Sequence, residues 1–276
     1  MAKIDNPQEF LTRAIDTSNG FNDCKPEEIQ KFLTQLYEKS KEKNPDNNQT
    51  IEDFSKPFAR SCNNMCKPYR AILLLSTNQF TLTKPLSPRS IIRSIRANQL
   101  NQLDEYLLNQ SDIGKEFDIQ KTLESIIDSQ YITKYKKNVQ ECIHAFNNAL
   151  YYPSAVGVIA IADGIISNIS NDQQPSFRTR IDKIQEAALR TLQSINTERK
   201  SNDIDFLKQN IAFISFCASQ YYFFGHSPFT NSEPLHINRH WIAHGRSSRC
   251  VSKLDCIKLF RLLNTLLTIN ELLSTE

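Results

Sequence analysis

The sequence HAFNNALYYPSAVGVIAIADGII, residues 144–166, carries the fold class in its spacing. Apolar residues recur at three- and four-residue steps with no strict alternation, the pattern of helices that bury one face. Two helices are predicted over 131–149 and 152–170, joined around Tyr151-Tyr152-Pro153. Gly157 and Gly164 stand seven residues apart, two helical turns, so they fall on nearly one face and permit close helix packing. Asp163 sits among apolar neighbours. If buried it needs a hydrogen-bonded or charged partner; otherwise it faces solvent.

The same periodicity extends outward in both directions. Beyond the loop NDQQPSF, helices are predicted at about 179–197 and 203–224. A short helix follows at 233–244, with Pro234 in its first turn and Gly245 at its stop. The last helix is predicted from near Ser252 to about Leu273, opened by a capping box in which Asp255 pairs with Ser252. Upstream, Pro26 opens a helix to about Glu42, and Thr50 with Asp53 resembles a capping box. Ser87-Pro88 opens another helix, on which Arg89, Arg93 and Arg96 share a face that is either solvated or phosphate-binding. Only AILLLSTNQFTL, residues 71–82, reads as a short hairpin. The expectation is an all-α protein: a C-terminal helical bundle over 131–276, preceded by a mostly helical N-terminal domain over 1–130 whose role is open.

Composition narrows the chemistry. The six glycines are dispersed, which excludes the clustered glycines of a dinucleotide turn or a phosphate-binding P-loop. Hydrophobic residues at 39% and charged residues at 23% are enough for a packed core. The opening MAKIDNPQEF lacks the apolar segment of a secretory signal, so a cytoplasmic chain with its seven cysteines reduced is expected. Neither AVGVIAIA at 155–162 nor the interrupted run at 211–225 reads as a membrane span. Cys62 and Cys66 have zinc-like spacing but no second pair follows.

Charge and histidine are concentrated together. Residues 1–130 carry a net charge of −1 and residues 131–276 a net of +4. Between 234 and 261 six basic residues face Asp255 alone. Four of the five histidines, His226, His236, His240 and His244, lie within nineteen residues of one another in the same region. A polyanion is the partner this favours, and a local excess of this size is also common on ordinary solvated faces.

Within this region NRHWIAHG, residues 238–245, supplies the candidate site. His236, His240 and His244 repeat at four-residue steps, each advancing about 40° around a helix. Arg239 precedes His244 by five residues, an offset of about 140°, so the two converge only if the helix frays at Gly245 or a second chain supplies one of them. The set suits cleavage of an RNA phosphodiester. Histidine can take the 2′-hydroxyl proton or return one to the leaving 5′-oxygen at neutral pH. An arginine fork stabilises the charge of the crowded phosphorane. Arg246, Arg249 and Lys253 are placed to hold flanking phosphates.

Arg239-His240-x3-His244 resembles the Arg-x4-His motif, with a polar residue after the arginine, of the HEPN superfamily (higher eukaryotes and prokaryotes nucleotide-binding). The preceding HAFNNALYYPSAVGVIAIADGII and the leucine-rich helix that follows resemble bacterial members, over roughly 131–276. The resemblance implies a bundle of four to five helices that dimerises with two motifs facing one cleft. It implies a metal-independent endoribonuclease of toxin–antitoxin, abortive-infection or other antiviral systems, with no cofactor. Its partners would be RNA, a second copy of the chain, and an antitoxin or phage-derived trigger. Carried over, Arg239 binds the scissile phosphate, His244 is the acid–base catalyst, and His240 fills the position often held by asparagine. Asn238 joins the substrate-binding group, and Asp163 is expected to orient Arg239.

Three alternatives stand beside this reading. A non-catalytic HEPN-like module would bind RNA or protein without cutting. The histidine ladder, with His226 as a fourth ligand, would instead hold a metal, although no HExxH glutamate accompanies it. Trp241 reads as a core or dimer contact before a base-stacking one.

Overall fold

Tyr151–Ile169 is the central helix, and its sequence explains why. Ala155, Val158, Ile159, Ala162, Ile165 and Ile166 are buried along it, the three- and four-residue spacing that keeps apolar groups on one side. In the computed structural model the described residues are 71–108 (except 73 and 85), 118–170, 180–184 (except 182), 203–225, 229 and 232–274. The expected helix after Pro26, the Thr50 cap, the Cys62/Cys66 pair, His226, the loop at 171–177 and most of the helix at 179–197 lie outside them.

Among the described residues the elements are α1 (Pro88–Gln99), α2 (Leu103–Leu108), α3 (Ile119–Asp128), a 3-10 helix (Gln130–Tyr135), α4 (Lys136–Asn147), α5 (Tyr151–Ile169), α6 (Asp203–Phe224), α7 (Arg239–Ala243) and α8 (Lys253–Ser274). No strand occurs among the described residues, and the fold is all-α.

The helix pair α4–α5 forms where expected, with its joint slightly earlier. The turn is Asn148–Leu150, and Tyr151, Tyr152 and Pro153 already belong to α5. Ala149 takes the left-handed conformation (φ 58°), and Leu150 N–H donates to the Ala145 carbonyl at 2.9 Å. Both glycines of α5 sit at close approaches. A Cβ on Gly157 would run into Cys142 Sγ of α4, and one on Gly164 would stand 2.8 Å from Cζ of Tyr135. Ser154 Oγ adds a bond to the Cys142 carbonyl at 2.9 Å.

α8 packs along α5 and also against α3 and α6, and Phe146 of α4 meets Phe260 of α8 edge-on at 5.5 Å. The capping box at the start of α8 is as expected: Asp255 accepts from Ser252 N–H at 2.9 Å, and Asp255 N–H donates to Ser252 Oγ at 3.2 Å.

Two expectations are corrected. Residues 71–82 form no hairpin: residues 74–77 are helical, a turn follows at Asn78–Gln79, and residues 80–82 run without a strand partner. The Phe80 N–H donates to the Leu75 carbonyl at 2.8 Å, and side chains bind the backbone that follows. Leu82 N–H donates to Ser215 Oγ (2.9 Å), and Arg261 Nε donates to the Thr81 carbonyl (3.2 Å).

The second correction concerns the boundary after residue 130, which falls inside one compact unit, Ala71–Glu276. Ile119, Leu123 and Ile126 of α3 share the core of α5 and α8, so the helices on either side of 130 bury the same apolar surface.

α5, at 19 residues, is the one described helix long and apolar enough to cross a membrane, longer than the apolar run at 155–162 alone suggested. Eight of its residues are buried in this core.

Candidate functional site

The Asn238–Gly245 segment is built by its two ends. Asn238 is the N-cap of α7: its Oδ1 accepts from His240 N–H (3.0 Å) and Trp241 N–H (3.3 Å). Its Nδ2 donates to the Gly225 carbonyl at 3.0 Å, tying α7 to the end of α6. At the other end His244 is the C-cap, and Gly245 takes φ +63°, which lets Arg246 N–H and Ser247 N–H reach the Trp241 carbonyl.

The helix is therefore five residues long and starts at Arg239, not at 233. Pro234 precedes it, in an extended approach that Glu233 pins to the far side of the motif. The Glu233 carboxylate accepts from Ser247 Oγ, and from Ser248 N–H and Oγ at 2.9 and 2.8 Å. Burial alone would raise the Glu233 pKa, but these bonds outweigh it and hold the carboxyl below its ordinary value.

The later helix start breaks the three-histidine ladder. His236 lies outside α7 and meets Tyr222 of α6 edge-on at 5.8 Å. Burial, then the Lys258 charge, pushes its pKa below the ordinary value; Arg249 acts in the same direction, with Asp104 and Asp255 opposing. His240 and His244 do stay together, their ring centroids 4.8 Å apart. Among the described residues no three His, Cys, Asp or Glu side chains converge as a metal ion requires.

Arg239 turns toward α5. Its Nη2 donates to Asp163 Oδ2 at 2.7 Å, and Arg180 approaches Asp163 Oδ1 at 3.5 Å. Arg180 also donates to Ser167 Oγ, one turn along α5. Asp163 is thus neither fully buried nor simply solvated: with its side chain 27% exposed, it lies between two guanidinium groups. Two cations on one carboxylate leave a net positive charge at the rim of the site. No hydrogen bond or ring contact joins Arg239 to His244 among the described residues.

The remaining expected residues divide in two. Asn238 is 6% exposed with both ends of its amide engaged, so it frames the segment and does not face a substrate. Arg249 is held by Asp255 through two contacts of 3.1 and 2.9 Å, and so belongs to the cap of α8. Arg246 and Lys253 are exposed. Trp241 is 8% exposed, a packing residue.

Two residues at the site had no signal in the sequence. Phe229 stacks on His240 (4.6 Å, 8° between planes) and meets Trp241 and His244 edge-on at 5.3 and 5.7 Å. Arg246 Cζ lies 5.2 Å from the same ring, so Phe229 links both histidines to a cation. Phe229 stands in a loop with no period to mark it, and Arg180, though helical, carries no signal in the sequence that it reaches Asp163. No protein-family model, curated protein or solved structure matches the chain.

Proposed function

We propose that this chain is a metal-independent endoribonuclease of the HEPN type, acting as a homodimer in a bacterial toxin or antiphage system in the cytoplasm. The observation that carries this reading is the pairing of an oriented arginine with two adjacent imidazoles on one short, doubly capped helix. Arg239, steadied by Asp163, would hold the non-bridging oxygens of the scissile phosphate. One imidazole takes the proton from the 2′-hydroxyl as its oxygen attacks phosphorus. The 5′-oxygen leaves with a proton from a second imidazole, and the product carries a 2′,3′-cyclic phosphate. His244 is assigned the acid–base role, and His240 assists from 4.8 Å away.

A second chain completes this arrangement. Arg239 and His244 of one chain share no hydrogen bond, whereas two motifs facing one cleft would bring an arginine to the opposite histidine. The surface of α5 supports such pairing. Tyr152 (43% exposed), Val156 (37% exposed) and Ala160 follow one another at four-residue steps along the face that ends at Asp163. That apolar stripe leads directly to the Asp163–Arg239 pair, so a copy covering it would also approach the motif. RNA is the substrate, and an antitoxin or phage-derived trigger is the regulatory partner proposed.

The purified chain is expected to cut RNA in EDTA and leave cyclic phosphate ends. Arg239→Ala and His244→Ala should each lower cleavage by about 10²-fold or more, with the far-ultraviolet spectrum and the oligomeric state unchanged. Undiminished cutting by both variants would sink the assignment. Binding without cleavage across varied RNAs would favour the non-catalytic module, a reading to which the Asp163 engagement of Arg239 also lends weight.

A further inference from the structure

A second polar site lies away from α7, where residues 81–84 and 86, the start of α3 and the middle of α8 enclose a cleft of about 160 Å³. Arg261 of α8 lies at this wall, only 7% exposed, and Lys84 and Lys121 stand exposed on the two other sides. Asp118 is the one carboxylate lining the cleft, and its Oδ1 is engaged by Gln120 N–H at 3.0 Å. Three cations against one anion leave a net charge of +2 around a small volume.

The neutral groups are suited to an anion as well. Thr81 is 1% exposed, and its Oγ1 is buried with no hydrogen-bond partner. Such a group costs stability unless something accepts or donates to it. Thr83 adds a second hydroxyl, and Asn264, held by Ser125 Oγ at 3.1 Å, adds an amide. The positive end of the ten-residue helix α3 also borders the cleft through Asp118, Lys121 and Thr122.

We propose that this cleft binds a phosphate group, either as free phosphate or as the terminal phosphate of a mononucleotide. Several features select that chemistry. Donors arrive from residues 81–84, α3 and α8, which suits a tetrahedral oxyanion better than a planar carboxylate. The net charge complements a dianion, and the Arg261 guanidinium, held in place by the Thr81 carbonyl, adds its positive charge at the wall. The volume is below the roughly 300 Å³ at which pockets begin to enclose drug-sized ligands, so one phosphate enters and any nucleoside stays at the mouth. Burial pushes the Arg261 pKa down to about 10, and the group remains a cation at neutral pH. The site is independent of the ribonuclease reading, since it shares no residue with α7.

Titration calorimetry on the full chain in a phosphate-free, low-salt buffer tests it, with inorganic phosphate and adenosine 5′-monophosphate as probes. Saturable binding is expected, weakened at least about tenfold in the surface variant Lys84→Ala/Lys121→Ala, which alters no buried contact. Arg261→Met should abolish binding, and the lysine variant decides the matter if the buried change unfolds the chain. Tighter binding of the nucleotide than of phosphate assigns the site to a nucleotide; equal affinity assigns it to free phosphate. Absence of binding, or wild-type affinity in the lysine variant, overturns the proposal. Loss of binding in Arg239→Ala also overturns it, because the phosphate would then belong to the α7 site.

Discussion

Asp163 stands between Arg239 and Arg180, and the pair geometry sets what it can contribute. The partners are 22% and 16% exposed, so water screens much of the attraction and little net stability is expected from it. Direction is the larger effect: a 2.7 Å bond to Asp163 fixes the orientation of the Arg239 guanidinium beside α5. Asp163 is a positioning residue in this scheme. Asp163→Asn should lower kcat for RNA cleavage about tenfold or more while KM and the melting temperature change little. A purely structural role would instead lower the melting temperature and leave kcat intact.

His236 makes a separate pH prediction. Its folded pKa lies below its ordinary value, first through burial, so the unfolded chain takes up the proton before the folded one. Stability is therefore lost as pH falls through about 6.5 toward the folded pKa. Melting temperatures from pH 7.5 to 5.5 should decline in wild type and decline less in His236→Phe. Equal slopes would show that His236 does not titrate this way. The pairing of Asp163 with Arg239 was legible from residue type and neighbours. Phe229 was not, because its three ring contacts are all tertiary and its loop has no period.

At the scale of elements, caps and close approaches decide where each helix lies. The capping box of α8 and the Gly245 stop were legible because each depends on two or three residues in sequence. The start of α7 was not. Pro234 satisfies the local rule for a first turn, but Asn238 takes that role once its amide is also bound to Gly225, thirteen residues away. The hairpin expectation failed for the same kind of reason, since the Thr81 carbonyl and the Leu82 N–H are bound by side chains of α8 and α6. The small-residue reading of α5 makes a direct test. Gly164→Ala should destabilise the chain by about 1–3 kcal/mol, because the new methyl meets the Tyr135 ring. Tyr135→Phe, which removes the nearest atom, should recover part of that loss in denaturant unfolding. Full stability in Gly164→Ala would refute the close approach.

Among the described residues α8 ties α3, α5 and α6 into one body. Residues 71–128 belong to that body, a relation hidden in the sequence because composition and charge change near 130 while the buried surface does not. An exposed apolar stripe of α5 lies beside the motif, and the proposed dimer rests on that stripe and on the absence of a hydrogen bond between Arg239 and His244 within one chain. The most direct measurement is RNA cleavage in EDTA by an equimolar, co-refolded mixture of Arg239→Ala and His244→Ala chains. Each variant alone should be inactive. The mixture should recover activity, because a mixed dimer offers an intact Arg239 from one chain opposite an intact His244 from the other. A mixture as inactive as either variant, with mixed dimers demonstrated by mass, would contradict the composite site.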